Sequence, residues 1–266
     1  DTMDKKVGDV QVTDAGGHVA LVEIQRGPNN FFDQDLICDL ADLFHEMDDD
    51  PSIRAIVLAS QGKHFCAGAN FGASGRDNAA RAERDPNKPN PLYSEAVRLF
   101  SSKKQVVAAV QGAAVGGGFG LAMYPDFRVG CPESRFTANF VKLGFTPGFG
   151  LTYTLARIIG QQNALDLFYT GRRVGGEEAK TMGILDRIVP QAEVRDAAIA
   201  YAQEIAENAP IALKTLRAAM RGDIAEQVRL ATDQEGRDQY MCQQTNDHKE
   251  GVKAVAERRV GNFTGT

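Results

Sequence analysis

Apolar positions along this chain recur in two periods, and the changes between them lay out its elements. Residues 18–24 pass from alternating to continuous apolar character, and residues 53–59 are apolar nearly throughout, as a strand covered on both faces would be. Between them, RGPNN at 26–30 predicts a turn. Asp33 is placed to cap a helix whose apolar residues Leu36, Ile37, Leu40, Leu43, Phe44 and Met47 follow a period of about 3.6. Acidic residues 48–50 and Pro51 end that helix. A second helix over 93–100 sets Tyr93, Ala96, Val97 and Phe100 on one face, and further strands are predicted at 106–110, 126–131 and 135–137. Strands separated by helices imply right-handed crossovers and a largely parallel sheet, so the fold class is α/β.

Beyond residue 150 the pattern becomes helical. Segments 151–159, 163–169, 177–181, 193–207, 210–220, 224–240 and 248–259 carry it, with Pro210 at the favoured first helical position. Several of these helices are too polar to stand alone. The chain divides into an α/β core over 1–195 and a helical C-terminal region over 196–266. Residues 73–91, rich in Arg, Asp, Asn and Pro without apolar period, predict a mobile surface loop over a site.

Two glycine-bearing stretches each follow a buried strand: HFCAGANFG at 64–72, and VVAAVQGAAVGGGFGLAM at 106–123. Gly116, Gly117 and Gly118 open a helix predicted to continue over 119–123, where each glycine costs roughly 1 kcal/mol against alanine. Bare backbone at that point serves either close approach of another segment or presentation of unpaired N–H groups to negative charge. A phosphate loop is excluded, because Gly118-Phe119 stands where Lys and Ser or Thr are required. A G-x-G-x-x-G dinucleotide fingerprint is excluded too, since its last glycine is missing in every register. The donors are better aimed at a carbonyl oxygen.

Composition narrows the partners. With 43% apolar and 24% charged residues over 266 positions, the chain has the make-up of a soluble globular protein, and its formal charge of -5 argues against a nucleic-acid or membrane-surface role. Its four cysteines are widely spaced, which suggests neither a zinc cluster nor a disulfide framework and fits reduced thiols in the cytoplasm. No run reaches the ~18 apolar residues of a membrane span. His64 and Cys66 stand just before the glycine of the first turn. The dispersed histidines offer no metal set or catalytic triad, and Cys66 reads as a small buried hydrophobe.

The two glycine stretches in this order, with FVKLGFTPGFGLTYTLARIIG, TGRRVGGEEAKTMGILDRIV, ENAPIALKTLR and the terminal EGVKAVAERRVGNFTG, resemble the crotonase superfamily, the enoyl-CoA hydratase/isomerase family. The likeness spans nearly the whole chain. It implies a spiral of ββα units, a homotrimer or dimer of trimers, and a C-terminal region that takes part in trimerisation and covers the site. It also implies an acyl-CoA thioester substrate, with coenzyme A as part of the substrate and no further cofactor. By motif position, the backbone N–H groups of Ala69 and Gly117 would hold the thioester oxygen. Coenzyme A contacts would fall on Pro28, Asn29, Ala67, Asn70, Phe71 and Phe263, with Arg258 and Arg259 near the nucleotide end.

The chain departs from that family at its acids. The two glutamates customary in hydratases correspond to Gly120 and Phe140, and an aspartate used by other members corresponds to Gly148. Standard water addition would lose about 10²–10⁴-fold per missing group. The segment around 76–95 offers substitutes in Arg76, Asp77, Glu83, Arg84, Asp85, Tyr93 and Glu95, although the ordinary reading of any one of them is a solvated loop residue. Three functions remain open: isomerase, decarboxylase or hydrolase-like chemistry on an acyl-CoA, a catalytically silent acyl-CoA-binding subunit, and a cyclic diketone hydrolase that does not use coenzyme A.

Overall fold

The computed structural model describes residues 3–69 and 84–266. Seven strands form the main sheet. The N-terminal β1 (Lys5–Val7), β2 (Val10–Asp14) and β3 (Val19–Ile24) pair antiparallel, and β3 is followed in parallel by β4 (Ala55–Ser60), β5 (Gln105–Val110), β7 (Phe127–Gly130) and β10 (Arg187–Ile188). A second sheet has three strands, with β6 (Ala113–Val115) parallel to β8 (Arg135–Thr137) and β9 (Arg173–Gly175) antiparallel to β8.

The predicted parallel core is present, and β4 is buried at every position, as its unbroken apolar run requires. The antiparallel β1 and β2 are additional. KKV is too short and too polar to signal a strand, and it is held by pairing with its neighbour rather than by its own apolar face.

Helices α1 (Gln34–Asp48) and α2 (Pro91–Phe100) fill the crossovers between β3, β4 and β5. Asp33 caps α1 as expected, its carboxylate accepting the Leu36 N–H at 2.9 Å. Asn90 does the same for α2 at Leu92. The short α3 (Gly117–Ala122) leaves the second glycine turn. Then come α4 (Leu151–Ile159), α5 (Gln161–Thr170), α6 (Gly176–Met182), α7 (Val194–Ala206), α8 (Pro210–Arg221), α9 (Ile224–Gln243) and α10 (Asn246–Ala256). The last helix stops short of the predicted 259, because Arg258 takes a left-handed conformation with φ 55°.

Two apolar clusters divide the interior. The larger lies between the sheet, α1, α2 and the glycine turns. The smaller lies on the opposite sheet face, where Val57, Val107 and Val129 meet Ala198, Ala202 and Ala206 of α7. Those small residues let the helix backbone approach the strands closely. No helix of the described residues is long and apolar enough to cross a membrane.

Candidate functional site

The two glycine turns lie against each other. Cys66 bridges Ala114 in parallel fashion, and the Val115 N–H donates to the Cys66 carbonyl at 3.0 Å. Contact between them is too close for side chains: a Cβ at Gly118 would lie 2.1 Å from the Cys66 oxygen, and one at Gly68 (φ 92°) would lie 2.7 Å from the Val115 oxygen. Close approach, the first of the two uses foreseen for these glycines, is therefore real at Gly68 and Gly118.

Asn30, a residue that sequence reasoning passed over, holds the arrangement together. It is fully buried, and its side-chain amide donates to the Gln61 and His64 carbonyls at 2.8 Å each while its Oδ1 accepts from the Arg26 N–H. A polar Asn in an RGPNN turn gives no sign of this, because the acceptors come from 31 and 34 residues away.

At the mouth of the paired turns is a cavity of about 410 Å³. Ala67 and Ala69 from the first turn and Gly116 and Gly117 from the second form one wall. The amides of Ala69 and Gly117 donate to no protein acceptor among the described residues. Facing them is an aromatic wall of Phe32, Phe140 and Phe145, with Phe140 and Phe145 packed edge to face at 5.6 Å between centroids. The third side is polar: the Tyr93 hydroxyl donates to Gln239 Oε1 at 3.1 Å, and Gln239 Nε2 donates to the Thr146 carbonyl at 3.0 Å. That second bond fixes which way the Gln239 amide points.

No carboxylate stands among the described residues that line the cavity. At Gly120 a Cβ would meet Phe149 Cβ at 2.6 Å, and at Gly148 it would meet the Tyr93 hydroxyl at 1.8 Å. The space next to those two positions is thus occupied by other side chains. Of the substitutes, Tyr93 and Arg84 line the cavity, whereas Glu95 pairs with Arg98 elsewhere. Asp85 accepts the Asn87 N–H. Arg76, Asp77 and Glu83, with Asn70 and Phe71 and most of the predicted 73–91 loop, lie outside the described residues.

The remaining candidates sit away from the cavity wall. Pro28 and Asn29 form the turn beside it, and the Asn29 carbonyl accepts the Ala67 N–H at 2.9 Å. Phe263 is half exposed against Gly261, and Arg259 pairs with Glu250 and Glu257. His64 faces the second turn, its Nδ1 accepting the Ala113 N–H at 3.2 Å, and burial pushes its pKa down. That bond ties one turn to the other and leaves His64 off the cavity wall. Cys66 is fully buried and its thiol is pushed up to about 12 by that burial, so it is an inert apolar filler as expected. No cluster of three His, Cys, Asp or Glu side chains suited to a metal occurs among the described residues.

One buried acid, unforeseen in the sequence, braces the site from behind. Glu235 of α9 accepts the Gly150 N–H at 2.8 Å, the Thr152 N–H at 3.0 Å and the Thr152 hydroxyl at 2.5 Å, all at the start of α4. Burial drives its pKa from 4.5 up to about 7, and the Thr152 and Gly150 bonds offset only part of that rise. The folded chain then holds a proton that the unfolded chain has already released between pH 4.5 and 7. Stability therefore falls as pH rises through that window, by on the order of 3 kcal/mol, and levels off above it. Urea-unfolding midpoints between pH 5 and 8 should show this slope in the wild type and lose it in Glu235→Gln; parallel curves for the two proteins would refute the assignment.

Comparison with known proteins accords with this architecture. The family model described as "Enoyl-CoA hydratase/isomerase" matches residues 14–266. A short-chain-enoyl-CoA hydratase of Clostridium acetobutylicum is 31% identical, over 91% of this chain and 93% of its own. A crotonyl-CoA hydratase of Syntrophomonas wolfei is 32% identical, over 88% of this chain and 89% of its own. The solved enoyl-CoA hydratase/isomerase of Pseudoalteromonas atlantica shares the fold with a TM-score of 0.83 at 24% identity, covering 97% of this chain and 100% of that one. The mixed sheet and the helical C-terminal region are those of this group, and the chain belongs to the enoyl-CoA hydratase/isomerase family.

Proposed function

We propose that the protein binds an acyl-CoA thioester with its carbonyl oxygen between the amides of Ala69 and Gly117, and stabilises the charge which that oxygen gains as an enolate forms. The observation that carries this reading is the pair of acceptor-free amides on one cavity wall, contributed by two turns packed against each other. One pre-aimed donor of this kind is worth about 3 kcal/mol in another enzyme class. Coenzyme A would run from the cavity past Ala67 toward Pro28 and Asn29, with Asn70, Phe71 and Phe263 as further contacts. The chemistry needs no cofactor beyond the coenzyme A of the substrate.

With Phe140 on the wall and no carboxylate among the described lining residues, ordinary hydration is disfavoured. The one neutral side chain there able to give or take a proton is the Tyr93 hydroxyl, held by Gln239. The same wall supports a second reading, a catalytically silent acyl-CoA binder. The exposed Ile211, Leu216 and Met220 of α8 support an assembly of several copies, a trimer in keeping with the family.

A thioether analogue of butyryl-CoA, which lacks the carbonyl oxygen, tests the carbonyl contact. Calorimetry should show the thioester binding at least about tenfold tighter, as expected for two hydrogen bonds lost with the acceptor. Equal affinity would remove the oxyanion hole from the proposal. Exchange of the α-protons of butyryl-CoA into D₂O then separates an enzyme from a silent binder.

A further inference from the structure

We infer that the acyl group accepted by this cavity carries a carboxylate, which Arg84 recognises; the inference rests on the acyl-CoA reading above. Arg84 is the one charged side chain among the described residues lining the cavity. It makes no ion pair among the described residues: its Nη2 donates to the Gly236 carbonyl at 3.1 Å, and its buried Nε has no acceptor. A guanidinium drawn partly out of water without an anion is costly, and a carboxylate is the partner whose two oxygens match its fork.

The surroundings accommodate the guanidinium. Gly236 lies in the middle of α9, where glycine costs about 1 kcal/mol against alanine. A Cβ there would come within 2.8 Å of Arg84 Nη2, so the missing side chain makes room for the cation. Gly236 and Gln239 are three residues apart and share a helix face. Arg84 thus stands about one helical turn from the Tyr93–Gln239 pair, on the polar side of the cavity. A plain alkyl chain would fill the aromatic wall and leave the cation without an anion among the described residues. An acyl chain with a terminal carboxylate would satisfy both walls.

A phosphate of coenzyme A is the other anion within the ligand, and the experiment separates the two. Dissociation constants of the full chain are measured for length-matched thioesters: succinyl-, glutaryl- and adipoyl-CoA against butyryl-, valeryl- and hexanoyl-CoA. At least one dicarboxylic member should bind about 10- to 100-fold tighter than its neutral match, the range of a hydrogen-bonded charge pair. Arg84→Met should abolish that preference, and Arg84→Lys should restore part of it. Equal affinity within all three wild-type pairs overturns the inference. So does an Arg84→Met variant that weakens both members of a pair alike, because the guanidinium then serves a phosphate. Failure of all six to bind would overturn the acyl-CoA reading itself, and this inference with it.

Discussion

Replacing Asp126 by Ala should cost about 3–5 kcal/mol of stability, the range for leaving buried cationic groups without their anion. The Asp126 carboxylate takes Arg217 Nε at 2.9 Å, Arg221 Nη1 at 3.1 Å and the Val106 N–H at 2.8 Å. Arg217 is the one buried residue of α8, and its Nη1 also donates to the Ser102 carbonyl at 2.6 Å. The apolar residues Ile211, Leu216 and Met220 of that helix face outward. Within the chain, α8 is therefore fastened by charge rather than by apolar burial. Loss of the carboxylate would strand two guanidinium groups and free the helix. Thermal unfolding should fall by roughly 10 °C for a chain of this size, with faster amide exchange concentrated in α8. A loss under about 1 kcal/mol would mean that water satisfies the arginines and that the ion pairs matter little.

Gly118→Ala should be one of the most damaging single methyls at the site. The new Cβ would stand 2.1 Å from the Cys66 oxygen and 2.8 Å from its carbonyl carbon. Both are main-chain atoms, and that oxygen already accepts the Val115 N–H. No side chain can rotate aside, so the turns must separate by an ångström or more. Overpacking of this kind costs about 1–3 kcal/mol or more. The separation would also move Ala69 away from Gly117, so the preference for thioester over thioether should shrink together with stability. The same methyl placed at Gly160, where nothing lies within 4 Å but φ is 85°, separates backbone strain from steric contact. If Gly118→Ala kept wild-type stability and full carbonyl preference, the contact between the turns would not set the spacing of the amides.

Legibility of the fold varied with how local its cause was. The cap at Asp33, the apolar stripe of α1 and the buried β4 were readable because each depends on residues a few positions apart. Strands β1 and β9 were not, since three-residue segments have no period of their own and exist through their partners. The turn at 26–30 was legible as a turn, but not the role of Asn30, whose partners are brought in by β4 and the first glycine turn. Tyr93 was one candidate among seven in a charged stretch, and its contact with Gln239 spans 146 residues. Glu235 resembled any other helix charge until α4 was seen to start on it.

The order of apolar runs, the glycine pair at strand ends and the lack of a customary acid belong to the sequence itself, because period, backbone freedom and residue identity are local properties. They determined an α/β core, the family resemblance and the backbone character of the site. Only the tertiary structure decided which glycines crowd a neighbour, which amides stay bare, and which polar groups from α2 and α9 reach the cavity. Packing made that choice, since a hydrogen bond or a clash between residues a hundred positions apart exists only once both elements are docked on the same sheet.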